Sequence, residues 1–374
     1  MKPKYFDIHS HINFSKFDDD REDVVKRMHE QSVWAIVVGT DLQTSKEVVE
    51  LADKNENIYA TIGLHPDDNR KEDFNLEDYK ELVKNKKVVA IGECGLDYFR
   101  IKQGEEGGTK KRQKDNFIKQ IEFAIENDLP LMLHFRPSGK SMDAYEDGLE
   151  ILSEYKERYK EKLRGNSHFF AGNLEIAKQF VAIGFTLSFT GVITFADSYD
   201  EIIKQIPLES LMSETDCPFV APVPYRGGRC EPVYVKEVVG RIAELRGEDI
   251  EIAQKILVNN DYDKFYPSLM VLMTHLNKTK EYAKCYESIG QFPVNLRNKQ
   301  KQLEDIANVY YNKYKNTDEL LLELYNNDPL DHPIMSSFDC FSDKKISQTL
   351  FEISYKVSGK SGGLKRTKKK RLIN

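Results

Sequence analysis

Residues with metal-binding chemistry recur along the first 216 positions of this 374-residue chain, each at or near the end of a short apolar run. The runs are YFDIHSHI, VVAIGECGLD, LPLMLHF, NSHFF and LMSETD. Their metal-binding residues are His9, His11, Glu93, His134, His168 and Asp216. Imidazole and carboxylate groups are ligands for Zn, Mn, Mg and related divalent ions. If the fold gathers these strand ends on one surface, the sequence predicts a site for two such ions.

Two of the runs also suggest how the ions are held. His9 and His11 are two residues apart on a strand, so both side chains point to one face, with Asp7 before them on the same face. Glu93 lies in an apolar run, where a buried carboxylate must be paired or metal-bound. A position bridging two cations would satisfy Glu93, and so would a salt bridge to a core arginine.

The predicted catalytic residues are Asp216, Glu93 and His65. A bound divalent ion lowers the pKa of water towards neutrality, and Asp216 is placed to take its proton. Glu214, two residues earlier, either supports this site or packs in the core. His65, in IGLHP at the end of the third strand, is predicted to contact an anionic oxygen of the substrate.

Three arginines are candidate substrate contacts in the same regions of the chain. Arg136 directly follows the fifth strand, and Arg226 and Arg229 lie in VPYRGGRCEP, where two glycines let the backbone approach a ligand. Guanidinium groups suit phosphate oxygens. Surface ion pairs are the alternative role for each of them.

Apolar runs alternate with amphipathic patterns eight times over residues 5–266. This alternation predicts parallel strands joined by helical crossovers. An open doubly wound sheet would collect ligands only near its switch point, whereas here strands one, four, five, six and eight all contribute. The predicted fold is therefore an α/β (β/α)₈ TIM barrel, whose catalytic residues lie at the carboxyl ends of the strands. The polar, glycine-rich segment 102–112 is predicted to be a long loop, and 138–143 a smaller insertion.

Three regions are predicted along the chain. Residues 1–267 form the barrel, residues 268–325 form a helical extension, and residues 326–374 form an irregular segment that ends in a basic, disordered tail. The tail carries Lys360, Lys365, Arg366, Lys368, Lys369, Lys370 and Arg371.

The bulk composition narrows the choice of compartment and partners. The net charge of −6 rules out binding of a polyanion by overall charge alone, so contacts with nucleic acid must come from local basic groups or metal ions. Five cysteines without C-x-x-C spacing indicate a reducing compartment. No signal peptide or membrane-length apolar run is visible. We expect a cytoplasmic protein with no membrane partner, and favour a monomer.

Together these residues resemble the TatD family of metal-dependent deoxyribonucleases, in the amidohydrolase-type barrel superfamily. The resemblance rests on DIHSHI, IGLHP, IGECGLDYFR, LPLMLHFR, HFFAG and SETDCPFVAPVPYRGGRCEP, in that order. It implies that the six residues listed above form the metal site and that His65 is the substrate-side histidine. It also implies hydrolysis of DNA phosphodiesters with Mg, Mn or Zn, with single-stranded DNA or 3′ ends as the substrate. The chain departs from the family pattern at Phe169–Ala171 and at Cys230, and its segments 102–112 and 138–143 are longer than in compact members. These departures leave the predicted metal site untouched and concern the substrate preference.

Two other functions fit the same sequence. The metal site could instead hydrolyse an ester, lactone or amide, such as the ester of a charged tRNA, since fold does not determine function. Alternatively, the barrel could be a weak catalyst while the basic C-terminal region binds nucleic acid, carries a targeting signal or only solubilises the chain.

Overall fold

Eight parallel strands form a single sheet in which each strand pairs with the next one along the chain. The structure is a computed structural model, and it describes residues 3–67 and 73–265. The strands are β1 (Tyr5–Ser10), β2 (Val33–Val38), β3 (Ile58–Ile62), β4 (Val88–Asp97), β5 (Leu131–Arg136), β6 (Gly165–Ser167), β7 (Thr186–Phe189) and β8 (Leu211–Ser213). This sequential parallel order confirms the barrel predicted from the sequence.

Helices connect successive strands, and within the described residues two more follow β8. They are α1 (Arg21–Glu30), α2 (Leu42–Lys54), α3 (Leu76–Tyr79), α4 (Glu106–Glu126), α5 (Asp143–Tyr159), α6 (Leu174–Ala182), α7 (Asp200–Gln205), α8 (Val235–Arg246) and α9 (Ile250–Phe265). Several begin where the sequence predicts a cap. Asp41 accepts a hydrogen bond from the Thr44 amide before α2, and Asn173 accepts one from the Ile176 amide before α6.

The ring closes through residues that follow β8. Ser10 at the end of β1 pairs with Cys217 in parallel orientation. The amide of Asp216 donates to the His9 carbonyl at 2.9 Å, and the amide of His11 donates to the Cys217 carbonyl at 2.8 Å. The last hydrogen bonds that close the barrel are therefore made by the residues of the predicted metal site and their neighbours.

Strands β1 and β4 are irregular where they carry predicted ligands. The register between β1 and β2 shifts between Asp7 and Ser10, and the register between β4 and β5 shifts between Ile91 and Cys94. Such irregularities re-aim side chains next to active sites. At Gly95, where φ is +139°, an added Cβ would lie 2.1 Å from the His134 carbonyl oxygen. Glycine is required here because β4 and β5 approach so closely, and this approach brings Glu93 next to His134.

Strands β6 and β8 are shorter than the apolar runs NSHFF and LMSETD, since they stop at Ser167 and Ser213. The backbone leaves the extended conformation soon afterwards, with φ of 42° at Phe169 and 52° at Asp216. His168 and Asp216 therefore lie in the turns just beyond their strands.

The prediction that residues 102–112 form a loop is wrong for residues 106–112, because α4 begins at Glu106, and it holds only for residues 102–105. Two polar side chains near the start of α4 have partners that fix the first turns of the helix. The Lys110 ammonium pairs with Asp143 at 2.8 Å and lies 3.9 Å from the centre of the Tyr98 ring. Gln113 is buried and bonds both the amide and the carbonyl of Asp97 at 2.9 Å. These long-range contacts stabilise a helix that the local glycines disfavour.

The inside of the barrel holds an apolar cluster contributed by five strands, which we call the barrel floor. Its buried members are Phe6, Ile8, Ile36, Val38, Val89, Ala90, Met132 and Met212. Residues from β1, β2, β4, β5 and β8 can meet in this way only inside the ring. Val258 of α9 packs against the floor. On the same helix, the Asn260 side chain donates to the carbonyls of Leu208 and Leu211 at 2.8 Å, so α9 covers the end at which β8 starts.

The predicted helical extension at 268–325 and the predicted irregular segment with its basic tail at 326–374 lie outside the described residues. In the described part of the chain, none of the helices has both the length and the apolar character needed to cross a lipid bilayer.

Candidate metal centre

Glu93 is the centre of a cluster of ionisable side chains at the carboxyl ends of the strands. Its carboxylate is buried, and its two oxygens face different partners. Oε1 lies 2.7 Å from His134 Nδ1 and 2.9 Å from His168 Nε2. Oε2 lies 3.5 Å from His9 Nε2 and 3.8 Å from His11 Nε2. Glu93 thus joins two sets of histidines through opposite oxygens.

The first set combines the two histidines of the H-x-H motif with Asp216. His9 Nε2 and His11 Nε2 are 3.1 Å apart, and Asp216 Oδ1 lies 3.8 Å from the first and 3.5 Å from the second. Two imidazole nitrogens that face each other at this distance need a shared proton or a nearby cation. The ligand atoms of His9, His11 and Glu93 all lie within 4.8 Å of one another, as do those of His9, His168 and Asp216.

The second set contains His134 and His168, from neighbouring strand ends. His134 has Glu93 on its Nδ1 side and Asp97 Oδ2 at 3.4 Å from its Nε2. The His168 ring stacks on the ring of His9, with centres 3.7 Å apart. This stack connects the two sets, so the structure brings together all six residues predicted to be ligands.

The electrostatics of the cluster favour bound positive charge. Burial alone would raise the pKa of Glu93, but His168 and the hydrogen bond from His134 hold it well below its usual range. Burial likewise opposes charge on His168, yet Glu93 and Glu214 raise the pKa of that imidazole well above its ordinary value. A site whose carboxylates stabilise a buried imidazolium also stabilises a metal cation in the same place.

His65 has a different environment and a defined tautomer. Burial lowers the pKa of His65 to about 3, so the ring is neutral. Its Nδ1 accepts a hydrogen bond from the Asp67 amide at 3.1 Å, which leaves the ring proton on Nε2. Nε2 lies 3.6 Å from Glu93 Oε1, at the edge of the cluster. The side chain therefore presents a donor at the place where the sequence predicts a substrate oxygen.

Glu214 is a buried carboxylate that contacts residues next to the metal centre. Its carboxylate is fully buried, accepts a hydrogen bond from the Phe169 amide at 2.5 Å and lies 3.0 Å from the Ser188 hydroxyl. Its Oε2 is 3.6 Å from His168 Nδ1, on the opposite side of that ring from Glu93. Glu214 therefore faces His168 at an ion-pair distance that is too long for a hydrogen bond. Whether Glu214 supports the site or simply packs stays a prediction.

Asp7 and Asp97 are two further buried carboxylates of the cluster. Asp7 accepts hydrogen bonds from the Thr215 amide at 2.8 Å and the Thr215 hydroxyl at 2.5 Å, so it ties β1 to the turn that contains Asp216. Burial raises the pKa of Asp7 well above its ordinary value. The contact of Asp97 with His134 was missed at the sequence level. The available signal was a second carboxylate, four residues after Glu93, in the same apolar run.

The three arginines predicted to bind substrate have different surroundings. The guanidinium of Arg136 lies 4.1 Å from the centre of the Phe99 ring, and that of Arg226 lies 3.5 Å from the centre of the Phe195 ring. Arg229 donates to both oxygens of Asp20, at 2.7 and 2.6 Å, and to Glu231 at 3.0 Å. Arg229 thus connects the turn after β8 to the start of α1, and its role in substrate binding stays a prediction.

Comparison with known proteins places this geometry in a family. The family described as TatD related DNase matches residues 6–266. The chain is 41% identical over 261 residues to the uncharacterized metal-dependent hydrolase YabD of Bacillus subtilis, a match that covers 68% of this chain and 96% of the relative. It is 31% identical over 260 residues to the uncharacterized metal-dependent hydrolase YcfH of Escherichia coli K12, covering 68% and 92%.

Solved structures agree with this assignment. The crystal structure of YJJV, a TatD homolog from E. coli K12, superposes with a TM-score of 0.63 at 29% identity, and the match covers 71% of this chain and 99% of that one. A TatD family hydrolase from Entamoeba histolytica has the same fold, with a TM-score of 0.61 at 21% identity. The chain belongs to the TatD family of metal-dependent hydrolases.

Proposed function

We propose that this TatD-family hydrolase cleaves phosphodiester bonds of DNA from a 3′ end with two divalent ions, Mg, Mn or Zn. The observation that carries the proposal is the position of Glu93, whose two oxygens face separate sets of histidines. A single carboxylate placed in this way suits a bridging ligand between two cations. Paired cations are a common solution for phosphodiester cleavage, where they stabilise both the attacking and the leaving oxygen.

The predicted ligands fall into two groups, one for each ion. His9, His11 and Asp216 would hold one ion, and His134 with His168 the other, with Glu93 shared. When bound, such ions lower the pKa of a coordinated water and offset the negative charge of a phosphate. Asp216 is the one carboxylate of the set that is only partly buried, at 13% side-chain exposure, so it can accept a proton from solvent-side water.

His65 is suited to the developing negative charge on a phosphate oxygen. The ring is neutral and its Nε2 carries the proton, so it donates a hydrogen bond rather than binding the metal through that atom. A donor fixed in advance costs no reorganisation during the reaction. Arg136 at the end of β5 and Arg226 in the segment after β8 add positive charge at the same end of the barrel.

The test uses the full chain, stripped of metal by dialysis against EDTA, and an oligonucleotide labelled at its 3′ end. We expect no cleavage without metal and recovery on separate addition of Mg, Mn or Zn. Aminoacyl-tRNA and p-nitrophenyl acetate are assayed in parallel. Cleavage of DNA by the stripped enzyme, or turnover of an ester but not of DNA in the presence of metal, would overturn the proposal. The second outcome would establish the ester hydrolase alternative.

A further inference from the structure

Three phenylalanine rings are exposed at the end of the barrel that carries the metal centre. Phe99 is 55% exposed, Phe195 is 40% exposed and Phe219 is 43% exposed. They follow β4, β7 and β8, and the carboxyl ends of parallel strands lie at one end of a barrel. In residues 3–67 and 73–260, the only phenylalanines this exposed are these three. Exposed aromatic surface is thus concentrated around the site opening.

A basic side chain lies over each of the three rings. The pairs are Arg136 over Phe99 at 4.1 Å, Arg226 over Phe195 at 3.5 Å, and Lys16 over Phe219 at 5.3 Å. Distances of this size give a favourable interaction between the cation and the ring face. Each position therefore combines a flat apolar surface with a positive charge.

One of the rings is linked directly to the metal centre. Phe219 packs edge-on against Phe14, with ring centres 6.3 Å apart. Phe14 in turn stacks on His11, with centres 4.5 Å apart. An unbroken series of rings thus runs from solvent to the cluster, so a planar group on Phe219 would be close to the site of hydrolysis.

Two of the rings, Phe99 and Phe219, stand on opposite sides of the opening. In an eight-membered ring of strands, β4 lies across from β8, and the Glu93 cluster lies between them. A ligand that touches both Phe99 and Phe219 must therefore cross the metal centre. A chain molecule with repeated planar groups and repeated negative charges meets this requirement, whereas a small ester does not.

We propose that Phe99, Phe195 and Phe219, each with its paired cation, are stacking subsites for unpaired bases of a single strand of DNA. Aromatic side chains bind single strands by stacking on successive bases, and nearby basic groups contact the phosphates. Bases paired within a duplex are stacked on one another and are not available to these rings. The inference rests on the proposed function, because it assumes that the ligand crossing the metal centre is a nucleic acid.

The test compares two 12-nucleotide probes, oligothymidylate and an abasic strand with the same number of phosphates, in binding assays with EDTA present. The variants are Phe99→Leu, Phe195→Leu and Phe219→Leu, which keep an apolar side chain but remove the ring. We expect each to weaken binding of oligothymidylate about tenfold, since stacking contributes ~1–3 kcal/mol per base. Binding of the abasic strand should not change. Tyrosine at the same positions should restore the affinity.

Ile252→Ala is the matched control, because Ile252 is 51% exposed on α9 at the opposite end of the barrel. Melting temperature and metal content show that each variant is folded. If the leucine variants bind both probes as the wild type does, the subsites do not exist, even if the enzyme cleaves DNA with metal. If the wild type prefers oligothymidylate and loses that preference in the variants but never cleaves DNA, the subsites stand and the nuclease proposal fails. Equal loss with an oligouridylate probe would extend the subsites to RNA.

Discussion

The two ends of the barrel interior are built from opposite kinds of residue. The barrel floor is apolar, with Phe6, Ile8 and Ile36 among its fully buried members. The end at which the strands finish holds buried histidines and carboxylates instead, grouped around Glu93. The same strands supply both regions, because β1 and β4 each pass from the floor to the metal centre.

In this fold, the residues that stabilise the barrel and the residues suited to catalysis lie at opposite ends of the barrel axis. Apolar burial in the floor stabilises the barrel without any need for partners. The buried charges of the metal centre are costly unless they are paired or coordinate a cation. We therefore expect substitutions in the floor to lower the free energy of unfolding, and substitutions in the metal centre to lower metal binding and activity.

Glu93→Gln should have the largest effect, and it tests the metal-centre side of the comparison. The amide cannot supply two anionic oxygens, so the two histidine sets lose their shared ligand. We expect activity on the labelled oligonucleotide to fall on the order of 10³-fold. Metal content, measured by elemental analysis, should fall below two ions per chain. Glu209→Gln, at an exposed position before β8, is the control, and two bound ions in Glu93→Gln would contradict the bridging role.

Ile36→Ala tests the contribution of the barrel floor to the stability of the protein. Ile36 is fully buried on β2, a strand that carries none of the predicted ligands. We expect the free energy of unfolding to fall by about 3 kcal/mol, through lost apolar burial and the cavity left behind. Denaturant unfolding measures the change. Metal content of the folded protein should stay that of the wild type, and a parallel loss of metal would show that the two ends are not independent.

His65→Ala separates substrate binding from metal binding within the catalytic end. Because the proton of this ring is on Nε2, we expect metal content to be unchanged while kcat/KM falls about 100-fold. His29→Ala, at an exposed position on α1, provides the matched control. Loss of an ion in His65→Ala would instead make His65 a ligand.

Glu214→Gln tests whether orientation of a ligand matters as much as its presence. The amide keeps the shape but removes the charge that faces His168 Nδ1. We expect metal affinity to weaken roughly 10- to 100-fold, as is usual when the partner of a metal-binding histidine is lost. A metal titration of the stripped protein measures it. An unchanged affinity would reduce Glu214 to a packing role.

Asp143→Asn should have the smallest effect and depends on pH. Lys110 and the Ser138 amide and hydroxyl, against the opposing effect of burial, hold the pKa of Asp143 well below its usual range. A depressed folded-state pKa stabilises the protein above the unfolded pKa of ~3.9, and the stabilisation is lost as pH falls towards the folded value. We expect the variant to be less stable by about 1 kcal/mol at pH 7. The difference should shrink at pH 3, whereas Asp115→Asn should show little change at either pH.

The sequence was sufficient for the fold and for the grouping of the six predicted ligands because both depend on a repeated local signal. Apolar runs that end in His, Glu or Asp recur at intervals typical of β–α units, and a parallel barrel places their ends together. No pairing between distant residues had to be known. Whether these residues bind two ions stays a prediction.

Features that depend on long-range contacts were not accessible in this way. The first turns of α4 are stabilised by Asp143, Tyr98 and Asp97, which lie on other elements, so the local glycines suggested a loop. The sequence left open an ion pair as the alternative role of Arg229, but it did not indicate the partner, Asp20, which lies 209 residues away in the sequence. No local sequence pattern indicates which distant residue forms such an ion pair.

Helix α9 determines where the chain can be truncated while the barrel stays folded. The Gln254 side chain of α9 donates a hydrogen bond to the Lys4 carbonyl, and the Asn260 side chain donates to two carbonyls beside β8. The helix therefore covers the end of the barrel at which the strands begin. A shortened protein that stops after α8 would open the floor to water and leave those carbonyls without their donors. Any dissection that aims to keep a folded enzyme must therefore cut after residue 265, although every predicted ligand lies before residue 217.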